Sequence, residues 1–297
     1  MIQAADLRKS FGSLQAVAGV SFTVERGETF ALLGPNGAGK TTTILMLTGA
    51  LRPDGGSIHI AGESDPTRPA VRRQLGLAPQ ALALYDNLTA DENLAFFGRL
   101  YGLSGRHLRE RVTKALELAG LADRKDDLVH TYSGGMKRRL NLACALVHEP
   151  PVVFLDEPTV GVDPQSRNYI FQTIEGLVAA GLTILYTTHY MEEAARLCRR
   201  IAIMDQGKIL ALDTLDGLIR SHGGQATVEV ELAEPPADPA RLPGEVDGKR
   251  VVFRSDRPQD ELMRLLQAGV AMTRFEVEQP TLENVFLNLT GRRLRDE

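Results

Sequence analysis

The sequence predicts an α/β protein with a parallel sheet, followed by a smaller α+β domain. Two apolar segments, VVFLD at 152–156 and LTILYTT at 182–188, are continuous rather than alternating, as in strands buried on both faces. Segments with helical periodicity separate such strands, which favours parallel pairing through right-handed crossovers. The pattern changes after about residue 222, where a strictly alternating strand, ATVEVELAE, precedes a Pro-rich loop.

This change divides the chain into a predicted larger domain, residues 1–222, and a predicted accessory domain, residues 223–297. The larger domain opens with short strands separated by glycine turns. Residues 88–149 have a helical pattern, which begins where Thr89 and Glu92 have the spacing of a capping box. In the accessory domain we expect strand 249–254, helix 258–268, strand 270–278 and a helix from Pro280.

Composition excludes several classes of protein. The 297 residues carry a net charge of −4, which argues against nucleic acid as the main partner. The two cysteines, Cys144 and Cys198, lie in apolar helical patterns and indicate reduced, buried thiols. There is no signal-peptide pattern, and apolar runs reach only about half the roughly twenty residues of a membrane span. We expect a soluble cytoplasmic protein that contacts a membrane only through a partner.

The segment GPNGAGKTT, residues 34–42, is the strongest motif. It follows a buried strand, opens a helix and has the G-x-x-x-x-G-K-[ST] pattern of a phosphate-binding loop, here called the P-loop. Its glycines let backbone N–H groups surround phosphates at the helix N-terminus. Lys40 would contact the β- and γ-phosphates, and Thr41 would ligate Mg²⁺. The predicted nucleotide-binding residues here are Asn36, Gly37, Ala38, Gly39, Lys40, Thr41 and Thr42.

Four polar residues at strand ends complete a predicted hydrolytic site. Asp156 ends the strand VVFLD and is a candidate Mg²⁺ ligand, while Glu157 is a candidate base for the attacking water. His189 follows another buried strand and could sense the γ-phosphate. Gln80, after LGLAP, could bridge metal, water and a moving segment. A solvated acidic pair and a structural histidine are the alternatives.

The segment HTYSGGMKRRL, residues 130–140, predicts a second anion site. Ser133 can cap a helix, and Gly134 and Gly135 allow close approach of a ligand to the backbone. The basic triplet Lys137–Arg139 lies in the first turn, where cations are disfavoured unless an anion is present. A capped structural helix is the alternative. The sequence leaves open why one chain would need two such sites.

In this order, the motifs resemble the ATP-binding subunits of ABC transporters. The resemblance covers residues 1 to about 220 and includes YSGGM at 132–136 and VGVD at 160–163. It implies a RecA-like P-loop NTPase core with an N-terminal antiparallel β subdomain and an inserted helical subdomain. It also implies MgATP as ligand, with Gln80, Thr41 and Asp156 at the metal. Phe11, expected to stack on the base, and Val17 complete the predicted nucleotide-binding set; a core aromatic is the alternative for Phe11.

The resemblance also explains the second anion site. In this family two ATPase domains associate head to tail, and the Ser133–Gly135 segment of one subunit would close over the ATP of the other. The chain departs from the common pattern at Tyr132, Met136 and Val160, where Leu, Gln and Ser are usual. Met136 and Val160 cannot make the polar cross-dimer contacts of their counterparts.

The tail, VEQPTLENVFLNLTGRRLRD, resembles ATPases of the ABC-2 exporter branch. It implies a separate integral membrane permease, with this chain peripheral on the cytoplasmic face. Because one chain contains two competent half-sites, we expect a homodimer. Leu82, Leu84 and Tyr85 are candidate residues for docking the permease. The alternative is a soluble ABC-type ATPase acting on the ribosome or DNA. The accessory domain could stabilise the dimer or sense a ligand.

Overall fold

A computed structural model describes residues 1–292; the predicted end of the accessory domain, residues 293–297, lies outside them. The described chain forms two compact units, which divide between Thr214 and Leu215. The first unit contains the following strands and helices: β1 Ile2–Phe11, β2 Leu14–Val24, β3 Thr29–Leu33, α1 Lys40–Leu47, β4 Gly55–Ile60, α2 Pro69–Arg72, β5 Leu75–Ala78, α3 Ala90–Leu100, α4 Gly105–Ala119, α5 Gly134–Leu146, β6 Val152–Asp156, α6 Pro164–Ala179, β7 Thr183–Thr188, α7 Met191–Leu197, β8 Arg200–Asp205 and β9 Lys208–Asp213.

A six-stranded sheet in the order β5-β6-β7-β3-β8-β9 forms the centre of the first unit. Its first five strands are parallel, and β9 pairs antiparallel with β8. Every residue of β3, β6 and β7 is buried, as their continuous apolar sequences predict. The carboxyl ends of these three strands meet at one edge of the sheet, where α/β proteins bind ligands.

A second, antiparallel sheet in the order β2-β1-β4 packs through a shared hydrophobic core with the main sheet. Phe22 of β2 stacks on Phe30 of β3 at 5.0 Å between ring centroids. Helices α3, α4 and α5 form their own hydrophobic cluster, separate from that core. Thr89 and Glu92 form the predicted capping box at the start of α3. The predicted P-loop NTPase architecture, with its antiparallel and helical subdomains, is confirmed.

The second unit contains the following elements: α8 Leu215–His222, β10 Ala226–Leu232, β11 Glu245–Asp247, β12 Arg250–Ser255, α9 Pro258–Gln267, β13 Met272–Glu278 and α10 Leu282–Thr290. Its four strands form an antiparallel sheet in the order β11-β12-β10-β13, with α9 packed on one face. Helix α8 belongs to it because α8 packs against α10 and Asn288 donates a hydrogen bond to the His222 carbonyl at 2.8 Å. The sequence pattern assigns these eight residues to the larger domain instead.

Candidate functional site

The P-loop connects the end of β3 to the start of α1. Gly37 and Gly39 have φ of +80° and +100°, in the left-handed region that favours glycine. A Cβ on Gly34 would lie 2.1 Å from the Met204 carbonyl oxygen, so no side chain fits there. The loop borders a cleft of about 820 Å³, a volume typical of ligand sites. The cleft is lined by Phe11, Leu14, Gln15, Ala16, Ala18, Asn36, Gly37, Ala38, Gly39, Lys40, Thr41, Thr42, Gln80, Glu157, Gln206 and Lys208.

Lys40 lies at the base of the cleft, with 4% of its surface exposed. Its ammonium group donates hydrogen bonds to the carbonyls of Gly34 at 2.7 Å and Pro35 at 3.0 Å. It also forms an ion pair with Glu157, 3.0 Å from Nζ to Oε1. A buried cation held by several oxygen acceptors keeps a fixed position. The Lys40 ammonium group of the P-loop therefore faces the carboxylate of Glu157, which directly follows β6.

The Glu157 carboxylate lies close to three other predicted site residues, Lys40, Gln80 and His189. Its Oε2 accepts a hydrogen bond from Gln80 Nε2 at 3.1 Å and lies 3.4 Å from His189 Nδ1. The His189 contact lacks hydrogen-bond geometry, and the ring is buried. Glu157 has φ of +47°, unusual outside glycine. Its N–H donates to the Thr187 carbonyl and hydroxyl, which holds this conformation.

Asp156 lies beside this cluster at the end of β6. Its Oδ1 accepts hydrogen bonds from Thr187 at 2.6 Å and Thr41 at 3.2 Å. Burial raises the pKa of Asp156, and the two hydroxyl donors oppose that rise. Hydroxyl and carboxylate oxygens side by side are the ligands that Mg²⁺ prefers, so Thr41 and Asp156 fit a divalent cation. Gln80, the third predicted metal residue, directs its amide nitrogen to Glu157.

The other two predicted nucleotide-binding residues, Phe11 and Val17, differ in position. Phe11 lines the cleft with 51% exposure, and the Lys9 ammonium lies 5.8 Å from its ring centroid. The Val17 side chain is fully buried in the core and does not line the cleft. Its neighbours Ala16 and Ala18 line the cleft instead. Irregular pairing between β1 and β2 sets which side chains face the core.

Ser133 caps α5 as predicted, its hydroxyl accepting a hydrogen bond from Met136 N–H at 3.2 Å. Ser133 and Gly134 are exposed, and neither lines the P-loop cleft of its own chain. Gly135, predicted to bind ligand, is buried; a Cβ there would lie 2.1 Å from Ser166 Oγ. Its small size allows α5 to approach the start of α6. The exposed end of α5 is thus Ser133 and Gly134.

The three cations of the basic triplet have partners within their own chain. Lys137 forms an ion pair with Asp86 at 2.7 Å. Arg138 is buried and donates to the carbonyls of Gln80 at 2.6 Å and Val160 at 3.1 Å. Arg139 donates to the Ala119 carbonyl at 2.6 Å. These cations therefore tie α5 to its own surroundings, and the argument for an anion rests on the Ser133 hydroxyl and the helix N-terminus.

Sequence reasoning missed three residues that position the site. Thr187 links Asp156 to the Glu157 backbone, as described above. Glu193 is a buried carboxylate that accepts hydrogen bonds from Thr159, Tyr186 and Thr188, at 2.6, 2.9 and 2.7 Å. Asn141 of α5 donates to the Pro79 carbonyl at 3.2 Å and so fixes the Gln80 segment. Polar residues inside apolar runs, such as the threonines of β7, were the available signal.

Comparison with known proteins identifies the family. A family model described as ABC transporter matches residues 17–160. The linearmycin resistance ATP-binding protein LnrL of Bacillus subtilis is 40% identical, with 100% of both chains covered. The chain belongs to the ABC transporter ATP-binding family. The Nod factor export ATP-binding protein I of Paraburkholderia xenovorans is 43% identical to this ABC protein, with 98% of it and 97% of the relative covered.

Solved structures agree with this ABC assignment. An ATP-binding subunit of an ABC transporter is 33% identical with a TM-score of 0.69, covering 75% of this chain and 93% of its own. A dimeric cassette in a post-hydrolysis state with ADP and Pi is 26% identical with a TM-score of 0.67, and the match covers 72% of this chain and 99% of that cassette. This ABC chain is an ATPase. None of the helices within residues 1–292 is long and apolar enough to cross a bilayer.

Proposed function

We propose that this ABC ATPase powers export through a separate integral membrane permease of the ABC-2 type. The observation that carries the proposal is the full-length similarity to two ATP-binding proteins named for resistance and for export. That similarity extends over the second unit as well as the ATPase unit. We also propose a homodimer, because one chain contains both a P-loop cleft and an exposed Ser133 helix start.

In this proposal MgATP occupies the cleft, with its phosphates against the P-loop amides and Lys40. Thr41 and Asp156 would hold Mg²⁺, with Gln80 as the third predicted ligand. Glu157 would orient the attacking water and accept its proton, since its carboxylate lies within reach of Lys40, Gln80 and His189. Chemistry then depends on where these side chains are held, rather than on a covalent intermediate.

The second copy would complete this site. The first N–H groups of α5 have no acceptor within the helix, so together with the Ser133 hydroxyl they can donate to a γ-phosphate across the dimer. Ser133→Arg is expected to abolish hydrolysis while the affinity of the monomer for ATP stays within about threefold. Equal loss of hydrolysis and of monomer affinity would give Ser133 a purely structural role.

The docking surface for the permease would include Leu82 and Tyr85. Both are exposed, by 39% and 48%, and Tyr85 packs edge-on against Phe96 of α3 at 4.8 Å. Leu84, the third candidate, is partly buried and packs against the helical cluster, so it supports this surface from beneath. Leu82 and Tyr85 lie in the segment between β5 and α3, and contiguous exposed apolar patches mark interaction sites.

The test is purification of the tagged chain from its native membranes, with identification of what remains bound. Tyr85→Asp is compared with Leu210→Asp, which places the same charge on an exposed apolar site of β9. We expect a multi-span membrane protein with the wild type and with Leu210→Asp, and much less of it with Tyr85→Asp. Recovery of ribosomal proteins in its place would favour the soluble alternative and overturn the export proposal.

A further inference from the structure

The outer strand of the second unit, β13, has a free edge. One edge pairs with β10, and no strand within residues 1–292 pairs with the other. Its side chains are accessible on both faces: Arg274 and Glu276 are 72% and 68% exposed, and Phe275 is 58% exposed. A free edge presents unpaired N–H and C=O groups that can template another strand.

We propose that β13 pairs antiparallel with β13 of a second copy, centred on Phe275, in an interface that does not require nucleotide. In this register Phe275 lies opposite Phe275 of the second copy. Arg274 then lies opposite Glu276 of the second copy, and Glu276 opposite its Arg274. Thr273 lies opposite Val277 in the same way. The strand sequence is thus complementary to itself around one twofold axis, as a symmetric dimer requires.

Charge favours this pairing on one face of the sheet. Within its own chain Glu276 lies opposite Glu229 of β10, a like charge that is already paired with Arg250. Arg274 contacts Glu276 at 3.1 Å, but both side chains remain largely in solvent. A second copy would give Glu276 an opposed arginine directly across the new ladder. Opposite charges in directly opposed positions stabilise a sheet, and like charges destabilise it.

The apolar face supports the same register. Val246, Val251, Val230 and Phe275 lie opposite one another across the four strands and form one row on the side that faces α9. The row is buried at Val251 and Val230 but open at Phe275. Pairing at the twofold axis would continue the row into Phe275 of the second copy. Aromatic pairs opposed across strands are among the stabilising ones.

A charged edge can also serve to prevent association, since edge charges often block unwanted strand pairing. The two possibilities make opposite statements about the protein without nucleotide. Under the pairing proposal it is a concentration-dependent dimer, whereas under the protective role it is a monomer. Because ATP is absent, the result is independent of the cleft and of the Ser133 contact. Failure here would leave the proposed function untouched.

The first test is sedimentation of the full-length protein in the absence of nucleotide. Arg274→Glu and Glu276→Arg each place like charges opposite one another, so each should raise the dimer dissociation constant by about tenfold or more. An equimolar mixture of the two variants should form heterodimers. In such a pair, the acidic side chains at positions 274 and 276 of one variant lie opposite the basic side chains at positions 276 and 274 of the other. A monomeric wild type, or a dimer that neither substitution weakens, overturns the proposal.

The second test fixes the register. Phe275→Cys places two thiols opposite each other at the twofold axis, within the Cα separation of a disulfide. Under mild oxidation it should cross-link without ATP. Glu278→Cys is the control, since its two copies would be about 20 Å apart in this register. The native Cys144 and Cys198 are buried. Equal cross-linking of both variants, or of neither, contradicts the β13 pairing.

Discussion

At the residue scale, the site depends on hydroxyl groups that stabilise buried charge. Thr187 is the clearest example, because one Oγ1 donates to Asp156 and accepts from the Glu157 N–H. The Asp156 carboxylate is buried, which raises its pKa, so its ionised form relies on those donors. A metal ligand must be ionised to work. We therefore expect the acid side of the pH–rate profile to depend on this carboxylate.

We expect Thr187→Val to lower ATPase activity at neutral pH by about tenfold or more, since a hydrogen bond to a charged group is lost. Removing the donor raises the pKa of Asp156 further, so activity should fall at a higher pH as the solution is acidified. The measurement is kcat/KM against pH.

Thr183→Val is the matched control for this prediction, because Thr183 begins the same strand and its hydroxyl accepts from Gly27 N–H, away from the site. Thr183→Val should leave the acid side of the kcat/KM–pH profile at the same pH as in the wild type. If the activity of Thr187→Val fell at the same pH as that of the wild type, Asp156 would not control the rate.

At the element scale, two adjacent glycines of α5 have different roles. A Cβ on Gly135 would collide with Ser166 and approach Asp163 Oδ2 at 2.9 Å, whereas one on Gly134 would have its nearest neighbour at 4.0 Å. Gly135→Ala should lower the free energy of unfolding by about 1–3 kcal/mol. Gly134→Ala should leave stability nearly unchanged but block ATP-dependent association. Denaturant titration and sedimentation with ATP distinguish them; equal stability loss in both variants would contradict this assignment.

The contact between α3 and α5 predicts a pH dependence of stability. His148, after α5, stacks face to face on Tyr101 at 3.5 Å between centroids and hydrogen-bonds the Leu75 carbonyl. Burial lowers the pKa of His148 to about 4. The folded state thus binds fewer protons than the unfolded state between about pH 4 and 6.5. Its contribution to stability is complete above about pH 6.5 and falls as pH decreases through this range.

His148→Phe keeps an aromatic ring at the stack and removes the titration. Between pH 7.5 and 5 we expect the wild type to lose about 1–2 kcal/mol more unfolding free energy than the variant, allowing for partial burial of the ring. Chemical denaturation at both pH values measures this difference. Parallel losses in the two proteins would show that His148 does not contribute.

At the scale of the whole molecule, the sequence was most informative where the residues of one functional feature are close together in the chain. The P-loop and the strand-end Asp156 and Glu157 follow from short motifs in a strand–loop–helix context. Contacts between distant segments could not be predicted in this way. Thr187 reaches Asp156 across 31 positions and Arg138 reaches Gln80 across 58. The partners of Arg138 and Arg139 could not be predicted for the same reason, because every residue type has a backbone carbonyl acceptor.

The central claim is that the catalytic site of one copy is completed by Ser133 and Gly134 of another. The most direct measurement is the molecular mass of Glu157→Gln at saturating MgATP, in an Arg274→Glu background to weaken any nucleotide-independent association. Without the base, ATP is retained, so a dimer holding two ATP should accumulate, and adding Ser133→Arg should return it to a monomer. A protein that binds ATP yet remains monomeric would contradict the account.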